Sequence, residues 1–138
     1  MRFGAAALLC FAVLVAGCGG SKKAASSESE GMKKTLAGVS ANDHGTKQVS
    51  GMTEVELDDY YFEPTVLKGK PGQRVTLELK NEGKTEHNFS IDAQKIDKDL
   101  EPGKSATVSV TIPQSGQISF YCKYHKSRGM AGALQSSG

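Results

Sequence analysis

The chain has 138 residues, a formal net charge of +2 and a hydrophobic fraction of 38%. This length predicts one small domain with room for appendages, and the balance of 17 Lys and Arg residues against 15 Asp and Glu residues gives no electrostatic case for nucleic-acid binding. Because the only long apolar run lies at the N-terminus, the composition also excludes a polytopic membrane protein.

The N-terminus has the pattern of an export signal. A positive charge at Arg2 precedes the apolar run 4–16, which is too short for a stable membrane-spanning helix. Residues 14–18, Leu-Val-Ala-Gly-Cys, are typical of a bacterial lipobox, in which the cysteine is lipidated and becomes the new N-terminus. The alternative is an ordinary signal peptide with a chance cysteine at its cleavage site. We therefore predict a lipoprotein signal peptide over 1–17, lipidation at Cys18, and an extracytoplasmic location anchored by lipid to the bacterial cell membrane.

The segment 18–51 has the composition of a tether. It is rich in Ser, Lys, Ala, Gly and Glu, has no aromatic residue and has few large aliphatic side chains. Such a stretch buries too little apolar surface to offset its ordering entropy. We predict a lipid-anchored flexible linker over 18–51, with His44 as a solvated linker residue and a short helix over 32–37 as the alternative for that part.

From residue 52 the apolar residues alternate with polar ones, which is the period of a half-buried strand. The pattern predicts short strands at 55–57, 66–67, 75–80, 87–91, 106–112 and 118–122. Pro64 makes 66–67 an edge strand, because proline cannot donate to a ladder. About seven short strands with regular turns predict an all-β fold over 52–138, a small antiparallel β-sandwich or barrel.

Four potential metal ligands stand out in this domain. Cys122, His125 and Met130 have the spacing Cys-x2-His-x4-Met, and a turn over 126–129 would allow them to converge. His87 follows a polar turn and could lie at the same end of the fold. Two imidazoles, a thiolate and a thioether suit copper in both oxidation states, and a trigonal His2Cys plane with a weak axial Met is the blue-copper arrangement.

These motifs resemble the cupredoxin family. The resemblance rests on Glu-His-Asn-Phe at 86–89, Phe-Tyr-Cys-Lys-Tyr-His at 120–125 and Gly-Met-Ala-Gly at 129–132. The Cys-x2-His-x4-Met loop is similar to that of plastocyanins and related membrane-tethered blue copper lipoproteins. It implies a Greek-key β-sandwich over 52–138 that holds one type 1 copper ion near one end. The ligands it implies are His87, Cys122 and His125 in the equatorial plane and Met130 in the axial position.

The same resemblance implies two supporting residues. Asn88 would hydrogen-bond across to the ligand loop, where such bonds fix ligand geometry. Tyr121 matches a position that plastocyanins use for a longer electron route, with ordinary packing as the alternative. The loop departs from plastocyanins in having Tyr124 where they usually have proline.

The expected function is electron transfer by a lipid-tethered blue copper protein that cycles between Cu(I) and Cu(II). The alternative is an extracytoplasmic copper carrier or storage protein without redox turnover, and a metal-free interaction sandwich would leave Cys122 unexplained. We expect no enzymatic activity, because a copper oxidase would need further histidines and only His44 remains.

The expected partners are redox proteins and, through the N-terminal lipid, the membrane, but no nucleic acid. The cations Lys123, Lys126 and Arg128 beside the second histidine favour an acidic partner face, with a solvated loop as the alternative. We expect the protein to be a monomer.

Overall fold

The computed structural model of the chain describes residues 32–138, which form twelve strands and two one-turn 3₁₀ segments. The 3₁₀ segments are Asp92–Gln94 and Lys126–Arg128. In chain order the strands are β1 Met32–Leu36, β2 Val39–Asp43, β3 Thr46–Gln48, β4 Met52–Asp58, β5 Tyr61–Glu63, β6 Val66–Gly69, β7 Arg74–Asn81, β8 His87–Ile91, β9 Ile96–Leu100, β10 Ser105–Thr111, β11 Gln117–Tyr121 and β12 Ala131–Ser136. This confirms the all-β fold class. Over residues 32–138, no helix has the length and apolarity needed to cross a membrane.

Two sheets enclose the main core. One has the strand order β10-β7-β4-β5, and the other has the order β3-β6-β12-β11-β8-β9. Buried residues of both sheets form a single cluster that includes Leu57, Leu77, Phe89, Phe120 and Leu134. Three ladders, β4 with β7, β6 with β12 and β3 with β6, are parallel. The sheets are therefore mixed, whereas the sequence pattern predicted antiparallel pairing.

The alternation of apolar and polar residues explains which side of each strand is buried. In β7, Val75, Leu77 and Leu79 are at most 1% exposed, and the polar residues between them are only partly buried. Strand β4 has the same pattern with Val55 and Leu57 buried. Each of these strands therefore contributes one apolar face to the core, as its period-two pattern predicted.

The predicted flexible linker over 18–51 is wrong for residues 32–51. Strands β1 and β2 form an antiparallel hairpin, and β3 pairs with β6. Leu36 and Ala41 of the hairpin are buried against Val66, Ala131 and Ala133, on the face of the six-stranded sheet opposite the main core. Two of the few large aliphatic residues of the segment, Leu36 and Val49, are buried, and the small Ala41 allows close packing, so the segment joins the fold despite its polar composition.

Of the other predictions for the N-terminal segment, two are contradicted by the structure and the rest concern residues outside the described range. A helix over 32–37 is excluded, because β1 occupies 32–36 and Ala37 lies in the turn that follows. His44 is partly buried and its ring stacks on that of Tyr61, with centroids 3.5 Å apart, so it is not a solvated linker residue. The predicted signal peptide, Cys18 and the rest of 18–31 lie outside the described residues.

Three further strands differ from the sequence prediction. Strand β6 is not at an edge, because it lies between β3 and β12, and Pro64 precedes it without interrupting its ladders. Strand β9 is polar and shows little alternation, and β12 consists largely of small residues. Neither was predicted, because β9 is mostly polar and β12 is mostly small, so neither has the alternating pattern of large apolar residues that marks a strand.

Candidate metal centre

Two adjacent strands bring His87 and Cys122 to the same end of the sandwich. His87 begins β8, Cys122 follows β11, and these antiparallel strands pair Tyr121 with Ser90. Phe89 and Phe120 lie two residues from His87 and Cys122 on the same faces, and their ring centroids are 5.0 Å apart in the core. This aromatic contact holds the two strand ends in register.

A tight loop returns the chain from Cys122 to Met130. The His125 N–H donates to the Cys122 carbonyl oxygen at 3.1 Å, and the 3₁₀ segment Lys126–Arg128 follows. Gly129 then adopts φ +87°, a left-handed conformation that favours glycine. The Cys122 N–H donates to the Met130 carbonyl oxygen at 3.0 Å and closes the loop. The predicted turn over 126–129 is therefore present.

The loop and the strand ends bring three donor atoms together. Nδ1 of His87 lies 3.2 Å from Nδ1 of His125. Sγ of Cys122 lies 4.0 Å from the first of these nitrogens and 3.4 Å from the second. His87 and Cys122 are fully buried and His125 is partly buried. The three side chains thus converge on one point that is shielded from solvent, which is the arrangement of a metal site.

Met130 completes the predicted donor set. It lies close to the other three donors and is fully buried. Its N–H also donates to the His125 carbonyl oxygen at 3.3 Å. Imidazole nitrogen, thiolate and thioether are donors that favour copper, and a thioether gives little reason to select zinc. The residues present therefore fit a type 1 copper ion.

Burial affects the titration of two of these groups. It raises the pKa of the Cys122 thiol, although N–H groups of Asn88, Tyr124 and His125 act in the opposite direction. It also lowers the pKa of His125, and the neighbouring His87 and Arg128 lower it further. In the metal-free protein, therefore, burial favours a neutral thiol and a neutral His125 imidazole.

Asn88 bridges the ligand strand to the ligand loop, as the resemblance implied. Its side-chain oxygen accepts a hydrogen bond from the Lys123 N–H at 3.2 Å and one from the Ser90 hydroxyl at 2.6 Å. Its backbone N–H donates to the Cys122 sulfur at 3.3 Å. Its side-chain amide also donates to Asp97 and Asp99 of β9. These bonds fix both the sulfur and the first residue of the loop.

The other predicted residues lie around this centre. The Tyr121 hydroxyl donates to Asp92 at 2.6 Å, and the Lys126 ammonium lies 4.4 Å from the centre of the Tyr121 ring. Lys123 forms ion pairs with Asp97 and Asp99 at 2.9 and 3.0 Å. The Arg128 guanidinium lies 4.1 Å from the centre of the Tyr60 ring. The three cations therefore do not form one patch of free charge.

Two residues at the centre were missed by the sequence analysis. The Asp59 carboxylate lies 2.7 Å from Nε2 of His87, and the Tyr60 ring lies 4.6 Å from the His125 ring. Burial raises the pKa of Asp59, but hydrogen bonds from Lys84, His87 and Thr85 outweigh burial and lower it. Nothing in the spacing indicates these contacts, since they depend on the β4–β5 loop meeting the start of β8 and the ligand loop.

Sequence comparisons place the chain among copper proteins. A family model described as cupredoxin-like domain matches residues 10–134. Plastocyanin of Lactuca sativa is 31% identical over 85 residues, which are 53% of this chain and 84% of that protein. The copper-resistant cuproprotein CopI of Pseudomonas aeruginosa is 46% identical over 44 residues, which are 32% of this chain and only 24% of CopI.

Solved structures with the same fold include two auracyanins. The dithionite-reduced auracyanin of Roseiflexus castenholzii has a TM-score of 0.56 at 22% identity, with 65% of this chain and 99% of that chain covered. Auracyanin A of Chloroflexus aurantiacus, described as a "blue" copper protein, has a TM-score of 0.51 at 18% identity, with 66% of this chain and 100% of that chain covered. At these identities the likeness shows the fold.

Proposed function

The chain belongs to the cupredoxin-like domain family, and we propose that it transfers single electrons through one type 1 copper ion that cycles between Cu(I) and Cu(II). The observation that carries the proposal is the convergence of the donor atoms of His87, Cys122 and His125 on one shielded point. When bound, copper supplies a one-electron couple, in which Cu(II) accepts one electron and becomes Cu(I).

The residues of the chain contribute a rigid and dry environment for that couple. Asn88 fixes the Cys122 sulfur and the loop, and the Phe89–Phe120 contact fixes the strand ends. A donor set that moves little between oxidation states keeps the reorganisation energy of electron transfer small, because the ligands are already in place. His125 is the partly exposed ligand and is the proposed point of electron entry and exit. Tyr121 is proposed as a second, longer route.

The test uses the absorption spectrum of the full chain in detergent after addition of Cu(II). We expect an intense visible thiolate-to-copper band that ascorbate bleaches and an oxidant restores. Cys122→Ser should abolish the band, whereas Cys18→Ser, which removes a cysteine outside the ligand set, should retain it. A band that survives Cys122→Ser would contradict the thiolate assignment.

A copper-holding role without redox turnover is the second candidate, favoured by the similarity to the cuproprotein CopI. It predicts that the chain binds copper tightly but that the metal does not change oxidation state reversibly. Bleaching by ascorbate followed by full recovery with oxidant supports the electron carrier. Copper that stays bound without such a cycle supports the copper-holding role.

We further propose that the domain is tethered by a lipid on Cys18 outside the cytoplasmic membrane. The support is the lipobox pattern of 14–18. Expression in a bacterial host should place the chain in the membrane fraction with a lipid attached, and Cys18→Ser should abolish the lipid attachment, measured by mass spectrometry. A wild-type chain found in the soluble fraction would contradict the tether.

The proposed partner is a redox protein with an acidic docking face. Lys123 is paired with two aspartates, so the proposed docking cations are Lys126 and Arg128, which are exposed on the ligand loop. Oxidation of the reduced protein by ferricyanide, an anion, should slow when Lys126 and Arg128 are both changed to Gln, and the salt dependence should weaken. An unchanged rate would argue for a solvated loop.

A further inference from the structure

His87 has a second nitrogen that points away from the metal centre. Its Nδ1 faces His125 and Cys122, and its Nε2 lies 2.7 Å from an oxygen of Asp59. With Nδ1 directed at the other donors, Nε2 carries the hydrogen and donates it to the carboxylate. His87 is fully buried, so this carboxylate is the acceptor that satisfies its Nε2 hydrogen.

The Asp59 carboxylate is itself held in place by the loop before β8. One oxygen accepts a hydrogen bond from the Lys84 N–H at 3.0 Å, and the other accepts one from the Thr85 hydroxyl at 3.1 Å. Its side chain is only 22% exposed. The carboxylate therefore has a fixed position, and it does not depend on His87 alone for its orientation.

Gly83 leaves the space that this contact needs. A Cβ at this position would lie 2.7 Å from Nε2 of His87 and still closer to the Asp59 carboxylate. Gly83 is not in a left-handed conformation, so its backbone does not require glycine. The absence of a side chain here serves the approach of Asp59 to His87.

We propose that Asp59 is a positioning residue for the metal centre, which orients His87 through Nε2 and lowers the reduction potential of bound copper. This inference rests on the proposed electron-transfer function. A negative charge hydrogen-bonded to a ligand imidazole increases the basicity of the ligand nitrogen. The more basic ligand stabilises Cu(II) more than Cu(I), so the oxidised state is favoured.

The test compares Asp59→Asn with Glu86→Gln in the copper-loaded full chain. Asparagine keeps the size and an acceptor oxygen but removes the charge, and Glu86 is an exposed carboxylate directly before His87. We expect Asp59→Asn to raise the midpoint potential and to weaken Cu(II) binding by about 10- to 100-fold, with a smaller loss for Cu(I). Glu86→Gln should change both much less. Equal shifts in the two variants, or no shift in Asp59→Asn, would overturn the proposal.

A second measurement needs no variant and tests the hydrogen bond on which the proposal depends, even if Asp59→Asn fails to fold. In the diamagnetic Cu(I) form, nitrogen NMR should show His87 with a slowly exchanging proton on Nε2. A His87 ring that lacks this proton would overturn the proposal. Failure of the electron-transfer function is a different result, since the wild-type chain would then show no reversible copper couple, and the NMR measurement could still be made on the metal-free chain.

Discussion

The Asn42 N–H donates to the carbonyl oxygen of Gly129 at 2.8 Å and joins the N-terminal hairpin to the ligand loop. The Asn42 side-chain amide adds hydrogen bonds to the carbonyl oxygens of Tyr60 and Arg128, each at 2.9 Å. Tyr60 packs against His125. One residue of β2 therefore supports both the loop that carries Met130 and the ring that covers His125.

The first prediction concerns the contact between Asn42 and Gly129. Gly129 has φ +87°, and a Cβ there would lie 2.7 Å from the Asn42 side-chain oxygen. Gly116 is the matched control, because it has φ +66° and open space around the same position. Both Gly→Ala changes should lower the free energy of unfolding by about 1–2 kcal/mol through the left-handed backbone. Gly129→Ala should lower the free energy of unfolding more than Gly116→Ala does, because its Cβ also meets Asn42. Urea unfolding of the metal-free chain measures both losses.

Asn42→Ala in the Gly129→Ala background checks the cause of the additional loss. If the clash with Asn42 is responsible, the double variant should lose less stability than the sum of the two single variants. Equal losses for Gly129→Ala and Gly116→Ala would mean that Asn42 does not confine the loop.

The second prediction tests whether residues 32–51 belong to the domain. Leu36 is 1% exposed in the small core between the hairpin and the six-stranded sheet, whereas Met32, in the same strand, is 84% exposed. Leu36→Ala should lower the free energy of unfolding by about 2–5 kcal/mol. Met32→Ala should change it by less than about 0.5 kcal/mol. Similar small effects of both changes, measured by urea unfolding, would support a loosely attached segment.

The N-terminal strands show why part of the fold escaped prediction. The β1–β2 turn is made by Ala37 and Gly38, both with positive φ, and Ala-Gly lacks the usual sequence signal of such a turn. The hairpin buries Ala41 against alanines of β12, and small residues give a weak hydrophobic pattern. Strands β4, β7 and β10 were predictable because their large aliphatic residues alternate with polar ones.

The residues of the metal centre also include some that the sequence could predict and one that it could not. His87, Cys122, His125 and Met130 could be selected because their residue types are chemically specific and three of them are close in sequence. Asp59 is an ordinary carboxylate 28 positions from His87. Its contact with His87 joins the β4–β5 loop to the start of β8, which are distant in sequence, so no local pattern identifies it.

The third prediction uses the raised pKa of Cys122. Burial is the main cause of this shift, so the thiol keeps its proton at neutral pH in the metal-free chain, and copper must displace that proton to bind the thiolate. Anaerobic addition of Cu(I) in weak buffer at pH 7 should release about one proton more from the wild-type chain than from Cys122→Ser. For the same reason, copper affinity should rise with pH below the pKa of the thiol. Equal proton release from both chains would mean that Cys122 is already a thiolate or does not bind.

The fourth prediction concerns the axial position. Met130 is fully buried at the centre, and the identity of an axial ligand tunes the potential of a blue copper site. Met130→Gln should retain copper and the visible band but lower the midpoint potential, because an amide oxygen is a harder donor than a thioether and favours Cu(II). Met52→Gln is the matched control, since Met52 is 65% exposed at the start of β4 and should leave the potential unchanged. Cyclic voltammetry of the two variants separates the outcomes. If Met130→Gln leaves both the potential and the spectrum as they are in the wild type, Met130 is a core residue and the site has a different axial donor or none.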